Sequence, residues 1–290
     1  MKNLYSILLV ILLCLSSCTK EITVDITHEP KTIIYGTISQ ETETVTVQVH
    51  QSVPLNAQAT SAPVNNATIF LYTRNASGNS SLVTSNFNVN QGLYSSSQPI
   101  TAITGNTYWI EVVLNNGTTF KSAEELLKPV VPIMEVEIST DDYVTIYFSD
   151  PVEDTNFYKF ETLLYNNGTL VSRNKSESND VVFNGRNDAY VEMDLYNFQQ
   201  EDEEDDSEDI IYDAVEIRFY NINFSSYQFY LNQSLQQEAN DSEESGDPSQ
   251  LFATPPVNLL GNIVNKSTNE VILGNFTVST KSVEIQSIIN

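Results

Sequence analysis

The first candidates for chemistry in this chain are oxygen ligands for a cation in the acidic segment 201–209, which reads EDEEDDSED. Calcium prefers about six to eight oxygen ligands, and adjacent carboxylates supply many. A specific calcium loop spaces its ligands and turns at a glycine, and the D-x-[DN]-x-[DN]-G pattern is absent. Neighbouring acids point in divergent directions, so diffuse ion binding is the alternative. The candidate calcium ligands are Asp202, Glu203, Glu204, Asp205 and Asp206.

Hydrolytic carboxylates are the second candidates. Asp150, Glu153 and Asp154 lie near the end of a predicted strand, and paired carboxylates serve as acid and base in glycoside cleavage. In a chain with 38 acidic residues, however, many such neighbours arise by chance. The Gly-x-Ser-x-Gly and His-Glu-x-x-His motifs are absent, and His28 and His50 are the only histidines. We therefore predict that the protein is not an enzyme, with a cation-dependent glycan-active enzyme as an alternative.

The amino terminus predicts export and lipid attachment. Lys2 precedes an apolar run over residues 4–15, followed by Ser16, Ser17 and Cys18. This arrangement is typical of a secretory signal peptide, and the run is shorter than the about 20 residues of a membrane span. Residues 15–18 (LSSC) also resemble a bacterial lipobox. We predict a signal peptide over residues 1–17 and acylation of Cys18, for example with palmitate. The alternative is an ordinary signal peptide that contains a cysteine.

Cysteine content and charge narrow the classes of partner. Cys14 lies within the predicted signal peptide, so the mature chain is expected to have no disulfide and no cysteine metal site. Calcium apart, no cofactor is predicted. The chain has 13 Lys and Arg against 38 Asp and Glu, a formal net charge of −25. Such a surface repels nucleic acid and anionic head groups, so no nucleic-acid partner is expected.

Beyond a polar tether at residues 18–31, the pattern has a period of two. In residues 44–50 (TVTVQVH) valines alternate with polar residues, which is typical of a strand with one buried face. Similar stretches occur at 67–72, 108–113 and 118–121, and Asn115-Asn116-Gly117 predicts a hairpin turn. The sequence therefore predicts an all-β fold, with an N-terminal β-sandwich domain over residues 32–128.

A second β-rich domain is predicted over residues 133–290. Residues 128–132 (KPVVP) are the candidate linker, because two nearby prolines disfavour strand pairing. Asn166-Asn167-Gly168 predicts a further turn. The predicted strands are 134–138, 143–148, 158–165, 190–195, 215–222, 270–278 and 282–285.

One helix and two acidic loops interrupt this second domain. Apolar residues recur every three or four positions over residues 225–239, which predicts a short amphipathic helix packed on a sheet, with Ser225 or Ser226 as its cap. Membrane contact is the alternative for that face. The acidic segments 201–209 and 238–247 are predicted to be extended, solvated loops, because closely spaced like charges repel.

Tyrosines concentrate in the predicted second domain, between residues 143 and 230. Tyrosine suits strands, because its ring can be buried while its hydroxyl stays hydrated. We interpret most of these residues as core packing. A surface cluster that stacks on sugars or anchors a protein interface is the alternative.

Several motifs, in order, resemble a family of Bacteroidetes outer-membrane lipoproteins known as domain of unknown function 4249. In this chain they are residues 33–38 (IIYGTI), 64–69 (VNNATI), 92–94 (GLY), 105–110 (GNTYWI), 119–122 (TFKS), 246–248 (GDP) and 257–263 (VNLLGNI). Lys20 and Glu21 also resemble the short charged signal that sends such lipoproteins to the cell surface, with ordinary tether charges as the alternative.

The resemblance implies a two-part β protein whose first part is like a carboxypeptidase-regulatory or immunoglobulin-like sandwich. It also implies an outer-membrane location, lipid-anchored and facing either the periplasm or the cell surface. Genes of the family often lie beside TonB-dependent receptors, which implies an accessory role in nutrient uptake and such a receptor as partner. The family carries no catalytic residues over. A structural or adhesive envelope lipoprotein is the alternative.

Overall fold

The computed structural model of the protein describes residues 28–54, 57–139, 143–152, 155–195, 211–244 and 259–288, and for residues 238–244 the backbone alone. The strands of the N-terminal half are β1 (Thr32–Ser39), β2 (Thr46–Gln51), β3 (Ala62–Pro63), β4 (Thr68–Arg74), β5 (Ser80–Thr84), β6 (Phe87–Asn90), β7 (Leu93–Ser96), β8 (Thr107–Val113), β9 (Thr119–Ser122) and β10 (Glu125–Leu126). Those of the C-terminal half are β11 (Ile133–Ile138), β12 (Tyr143–Phe148), β13 (Phe157–Asn166), β14 (Thr169–Asn179), β15 (Ala189–Asp194), β16 (Ala214–Ile222), β17 (Leu260–Asn265) and β18 (Val271–Ser287). A 3₁₀ turn at Asp180–Val182 and the helix α1 (Phe224–Glu244) complete these elements.

The N-terminal sandwich is a sheet that curls around one core. Its strands follow the order β5-β4-β8-β9-β17-β18-β1-β2-β7-β6. Leu71 of β4 and Tyr94 of β7 come from opposite ends of this order, yet both belong to the same core. In β2, Val47 and Val49 are fully buried while Gln48 between them is exposed, so the predicted period of two is confirmed. The predicted Asn-Asn-Gly hairpin joins β8 to β9, with Gly117 at a φ of 84°.

The C-terminal sandwich packs two sheets around a second core. A three-stranded sheet has the order β11-β12-β15, and the other sheet has the order β14-β13-β16-β18. Phe148 of β12 lies at the centre, with its ring centroid 4.7 Å from that of Phe219 and 5.4 Å from that of Tyr158. Aromatic side chains from both sheets therefore fill this core, and the predicted all-β sandwich fold with one helix is confirmed.

Strand β18 belongs to both sandwiches. Its first half pairs in parallel with β1, from Leu273 to Ser279, and its second half pairs with β16, from Thr280 to Ser287. The sequence predicts two strands here, at 270–278 and 282–285, and places both in the domain 133–290. The strand pairing corrects that division, because β17 and the first half of β18 complete the N-terminal core.

A glycine makes the first of these pairings possible. Gly274 has a φ of 105°, and a Cβ there would lie 1.9 Å from the carbonyl oxygen of Ile34. No side chain fits at that distance, so the close approach of β18 to β1 requires glycine.

The predicted linker at residues 128–132 lies against the sheet as a fixed connection. Thr280 Oγ1 and Asn221 Nδ2 donate hydrogen bonds to the Pro129 carbonyl at 3.1 and 3.0 Å. Ser282 Oγ donates to the Val131 carbonyl at 2.9 Å. Because prolines offer no backbone N–H for a ladder, side chains of β16 and β18 hold this segment instead.

Three local predictions differ from the structure. Strand β14 is missed by the sequence, because its residues TLVSRNKSESN show no apolar alternation. Helix α1 continues to Glu244, so the loop predicted to begin at residue 238 is wrong up to residue 244. Ser225 and Ser226 lie inside the helix, and their hydroxyls donate to Glu125 and Thr277 side chains instead of capping it. In the described part of the chain, no helix is both long and apolar enough to cross a bilayer.

Candidate functional site

The outer face of the sheet β14-β13-β16-β18 carries charged side chains on each of its four strands. In β13, Tyr158 and Phe160 point into the core, so Lys159 and Glu161 point outward. The register places Lys159 opposite Tyr220, and Glu161 opposite Arg218. We name this surface the charged face. Its outward charged and aromatic side chains are Lys159, Glu161, Arg173, Lys175, Glu177, Glu216, Arg218, Tyr220 and Lys281.

Ion pairs along the strands and a hydrogen bond between strands tie the charged face together. Lys159 Nζ lies 2.7 Å from Glu161 Oε1, and the Tyr220 hydroxyl donates to Glu161 Oε2 at 3.0 Å. Burial by itself would raise the pKa of Glu161, but the charge and hydrogen bond of Lys159 hold it below its ordinary value. Burial and the Glu161 charge raise the pKa of Tyr220. At neutral pH, Glu161 is therefore ionised and Tyr220 keeps its proton.

Helix α1 lies across the charged face and turns it into a concave surface. The Lys159 ammonium lies 4.5 Å from the centroid of the Tyr230 ring and 5.1 Å from that of Tyr220, within the range of cation–π attraction. Lys175 Nζ donates to Gln233 Oε1 at 3.2 Å. These contacts hold the lysine side chains under the helix.

The resulting trough has a volume of about 670 Å³. Its walls are residues 173–176 of β14, residues 192–194 of β15, and Gln233, Ser234 and Gln237 of α1, and Lys159 and Glu161 form its inner end. Burial lowers the pKa of Lys175, while Arg173 forms no ion pair with any described residue. Three cations and three carboxylates line the trough together with amides and hydroxyls, and a lining of this kind suits a polar ligand.

A smaller pocket of about 200 Å³ adjoins the trough, with Lys159 as a shared wall. It lies where the two sandwiches meet, between β1, β16, β18 and α1. Lys281, whose Nζ lies 2.8 Å from Glu41 Oε2, and the Tyr230 side chain also line it. The trough and this pocket together follow the underside of α1.

A second cluster of aromatic and basic side chains covers the outer side of the N-terminal sandwich. Tyr72 of β4 stacks on Trp109 of β8 at a centroid distance of 5.4 Å and an interplanar angle of 11°. Lys121 Nζ and the Arg74 guanidinium lie 5.0 and 5.4 Å from the Trp109 ring centroid, and Glu124 pairs with both cations. Only 6 % of Trp109 is exposed, so this surface, which we name the aromatic face, offers no free ring face of Trp109.

Asp150, which was a candidate for hydrolysis and not a predicted catalytic residue, has a structural role. It is buried, its Oδ1 accepts a hydrogen bond from the Tyr158 hydroxyl, and its Oδ2 accepts from Gly185 N at 2.9 Å. Both oxygens therefore brace the loops at one end of the C-terminal sandwich. Glu153 and Asp154 lie outside the described residues.

The remaining predicted site residues lie where the structure describes nothing. Cys18 and the calcium candidates Asp202, Glu203, Glu204, Asp205 and Asp206 fall outside the described ranges. Within those ranges, no group of three or more His, Cys, Asp or Glu side chains is placed to hold a metal ion.

The family model described as "Domain of unknown function (DUF4249)" matches residues 19–285. The chain belongs to this family. No curated protein matches the chain.

Similarity to solved structures is low. A two-domain fibronectin type III segment of chicken tenascin is 11% identical, with 67% of this chain and 91% of that chain covered and a TM-score of 0.22. Fibronectin domains FN1–FN3 of chicken CNTN1 are 9% identical, with 66% and 60% covered and a TM-score of 0.22.

Described residues of three motifs that carry the DUF4249 resemblance make hydrogen bonds that join strands of the N-terminal sandwich. The Tyr94 hydroxyl donates to the Val64 carbonyl and accepts from Ala67 N, both at 2.8 Å, which joins two of the motifs. Asn262 bonds to both backbone groups of Phe276 at 2.9 Å. These motif residues therefore position strands, and none of them lines the trough.

The sequence carries a signal for the residues that line the trough, although none of the motifs predicts them. Basic residues are scarce, yet they alternate with acids at a spacing of two in Lys159/Glu161, Lys175/Glu177 and Glu216/Arg218. This spacing puts both charges on one face of a strand, next to each other. Scarce basic residues with this period are the pattern that would have indicated the charged face.

Proposed function

We propose that this DUF4249 protein is a lipid-anchored outer-membrane binding protein that helps a TonB-dependent transporter to capture a nutrient. The main support is the trough under α1. In a chain with a formal net charge of −25, the charged face carries five of the 13 basic residues. It holds three acidic residues, so the charged face is positive by two charges, whereas Glu192 and Asp194 on the opposite wall balance the charge of the trough itself. That concentration suits the recognition of a ligand more than general solubility.

The contacts of two buried carboxyls, Glu161 in the trough and Asp150 outside it, favour binding over hydrolysis. Glu161 is held ionised by Lys159, and Asp150 is engaged at both oxygens, so neither carboxyl is free to act as a general acid. Within the described residues, no group of three or more His, Cys, Asp or Glu is placed to hold a metal ion, so a cation-dependent enzyme would need metal ligands from other parts of the chain. Fixed side-chain donors around a polar trough are what a binding site requires.

Tethering supplies the physical reason for an accessory role. His28 and Lys31 bond to Ser52 at 2.9 Å, so the chain is attached to the N-terminal sandwich from residue 28 onward. A segment as long as residues 18–27 reaches at most about 35 Å. If Cys18 is acylated, the sandwiches stay within that distance of the bilayer, which raises their effective concentration near a membrane partner.

The test is affinity purification of the tagged protein from its native outer membrane, followed by mass spectrometry. We expect a TonB-dependent barrel in stoichiometric amount. A Cys18→Ala variant is the control, and we expect it to lose both membrane attachment and the barrel. Recovery of the protein alone would contradict the accessory role and favour the structural or adhesive alternative. Unchanged membrane attachment of the variant would contradict the lipid anchor.

A further inference from the structure

The residues that line the trough are consecutive along two strands. Residues 173–176 of β14 and residues 192–194 of β15 all contact it. Alternate residues of a strand point to opposite faces, so a cavity on one face of a sheet touches every second residue. A cavity touched by consecutive residues faces the edge of the strand, where backbone N–H and C=O groups point outward.

Both strands are edge strands. In the described part of the chain, β14 pairs with β13 alone and β15 pairs with β12 alone. Asn174 Nδ2 donates to the Asp194 carbonyl at 2.9 Å, which fixes the two edges relative to each other at the end of β15. An unpaired edge next to a cavity is the arrangement that accepts an added strand.

We propose that the trough binds an extended oligopeptide, which adds as a strand along the edge of β14 with acidic side chains at every second position. This proposal deepens the proposed uptake function and takes the peptide to be the captured nutrient. The backbone of the peptide would pair with the groups of residues 173–176 that point away from β13, and the Lys175 N–H would exchange its 2.9 Å hydrogen bond to Asn174 Oδ1 for one to the peptide. Its side chains would then follow the same alternation as β14.

The charges on β14 define which side chains the peptide presents. Arg173 and Lys175 are two residues apart, on the face that also carries Glu161, which corresponds to about 7 Å along the strand. Acidic residues at positions i and i+2 of an added strand would lie opposite these two cations. The intervening peptide residues would point the other way, towards buried Met193, and are expected to be apolar.

Glu192 and Asp194 on the opposite wall limit the alternatives. They lie on the outward side of the second sheet and disfavour a ligand with negative charge on all sides. A strand that is acidic on one face and apolar on the other satisfies both walls. A free anion such as phosphate would use the cations but not the strand edges.

The probe is the fluorescein-labelled, capped peptide Glu-Val-Glu-Val-Glu-Val, titrated by anisotropy into the detergent-solubilised protein. We expect saturable binding, although the chain as a whole is strongly acidic and would repel the peptide through its overall field. The same peptide with N-methyl groups on alternate amides loses backbone donors, and we expect it to bind at least about tenfold more weakly. Equal binding of the two peptides would overturn strand addition.

Two variants test the location. Arg173 is exposed, so the Arg173→Gln variant should fold. We expect it to bind the peptide about tenfold more weakly, because it loses a charge-assisted hydrogen bond. Arg74→Gln, on the aromatic face, is the matched control and should leave binding unchanged. Amide hydrogen exchange at residues 173–176 should slow when the peptide is present. Equal effects of the two variants, or unchanged exchange at these residues, would overturn the assignment of the site.

The outcomes also separate this inference from the proposed function. If the barrel co-purifies but the peptide does not bind, the peptide inference alone fails. If the peptide binds but no barrel co-purifies, the accessory role fails and the binding site stands.

Discussion

On the outer side of the N-terminal sandwich, Arg74, Lys121 and Tyr72 close over Trp109, and Glu124 pairs with both cations. On the C-terminal sandwich, Lys159 also lies against two aromatic rings and pairs with a glutamate, yet it lines a trough of about 670 Å³. The same kinds of contact thus produce a closed surface in one region and an open one in the other. The difference lies in what covers the sheet.

Helix α1 accounts for this difference. On a sheet that no helix covers, each cation can pack against the aromatic ring of its cross-strand neighbour. Neither the charge nor the ring is then available to a ligand. A helix that crosses a sheet covers part of the sheet and leaves a gap beside it. The side chains beneath the helix then face a concave space. The contacts of Gln233 with Lys175 and of Ser234 with Glu177 hold the helix over β14. From this comparison we expect the aromatic face to stabilise the fold, and we propose ligand binding for the charged face alone.

The largest effect is expected where the two regions share a strand. Gly274→Ala would place a Cβ 1.9 Å from the Ile34 carbonyl oxygen at a φ of 105°. We expect it to cost well over about 3 kcal/mol and to unfold both sandwiches together, because β18 belongs to both. Thermal unfolding followed by circular dichroism measures this. The control is Gly168→Ala, at a φ of 77° with open space around it, which should cost about 1 kcal/mol. Equal losses would show that the close approach of β18 to β1 does not require glycine, and two separate unfolding transitions would show that β18 does not couple the sandwiches.

The aromatic face is the next test. Trp109→Ala removes a ring that is 94% buried between strand neighbours and two cations, since 6% is exposed. We expect a loss of about 3 kcal/mol in urea denaturation, with peptide binding unchanged. Trp109→Phe, which keeps a ring, should lose less. Weaker peptide binding by a well-folded Trp109→Ala variant would contradict the division of roles between the two faces.

The pH dependence of the charged face gives a smaller effect. The folded pKa of Glu161 lies below its unfolded value, so its contribution to stability is complete above the unfolded pKa and is lost as pH falls through the folded pKa. Glu161→Gln should therefore cost about 1–3 kcal/mol at pH 7, and the difference should shrink below about pH 4.

Urea denaturation of both proteins at pH 7 and pH 3 measures this difference. Asp188→Asn removes an exposed partner of Arg186 and serves as the control, for which we expect no measurable change. A cost of Glu161→Gln that stays constant with pH would mean that its ionisation does not stabilise the fold.

The smallest effect is expected at the rim of the aromatic face. Arg74 lies 2.6 Å from Glu124, but 42% of its side chain is exposed. Arg74→Gln should cost at most about 1 kcal/mol, and less in high salt, because exposed ion pairs are screened. Urea denaturation at low and high salt measures it. A cost as large as that of Trp109→Ala would mean that the cation, and not the ring, stabilises this face.

The parts of the fold that could be predicted are those with a local signal. Val47 and Val49 alternate with polar residues, and Gly117 follows two asparagines, so strand and turn could both be predicted from neighbouring residues. Strand β14 could not, because an edge strand with one polar face and a partly covered second face has no apolar alternation. The same polar residues turn out to line the trough.

Asp150 shows why the role of a single residue could not be predicted from the sequence. A carboxyl beside a strand end suggested chemistry, whereas the structure places it under the Tyr158 hydroxyl and the Gly185 amide. Gly185 is far away in sequence, and no spacing rule predicts that contact. Burial, which decides whether a carboxyl is a catalyst or a brace, depends on such distant neighbours.

The amino-acid sequence by itself determined the all-β class, most strand positions, the turns and the family, because these depend on alternation and turn residues within a few positions. Only the tertiary structure decided that β18 runs through both sandwiches, that α1 crosses the charged face, and that the edges of β14 and β15 meet beside a trough. Period-two alternation defines which face of a strand is buried, but it carries no information about which strand becomes its neighbour. The choice of neighbour is made by packing between distant segments, and the trough is a product of that choice.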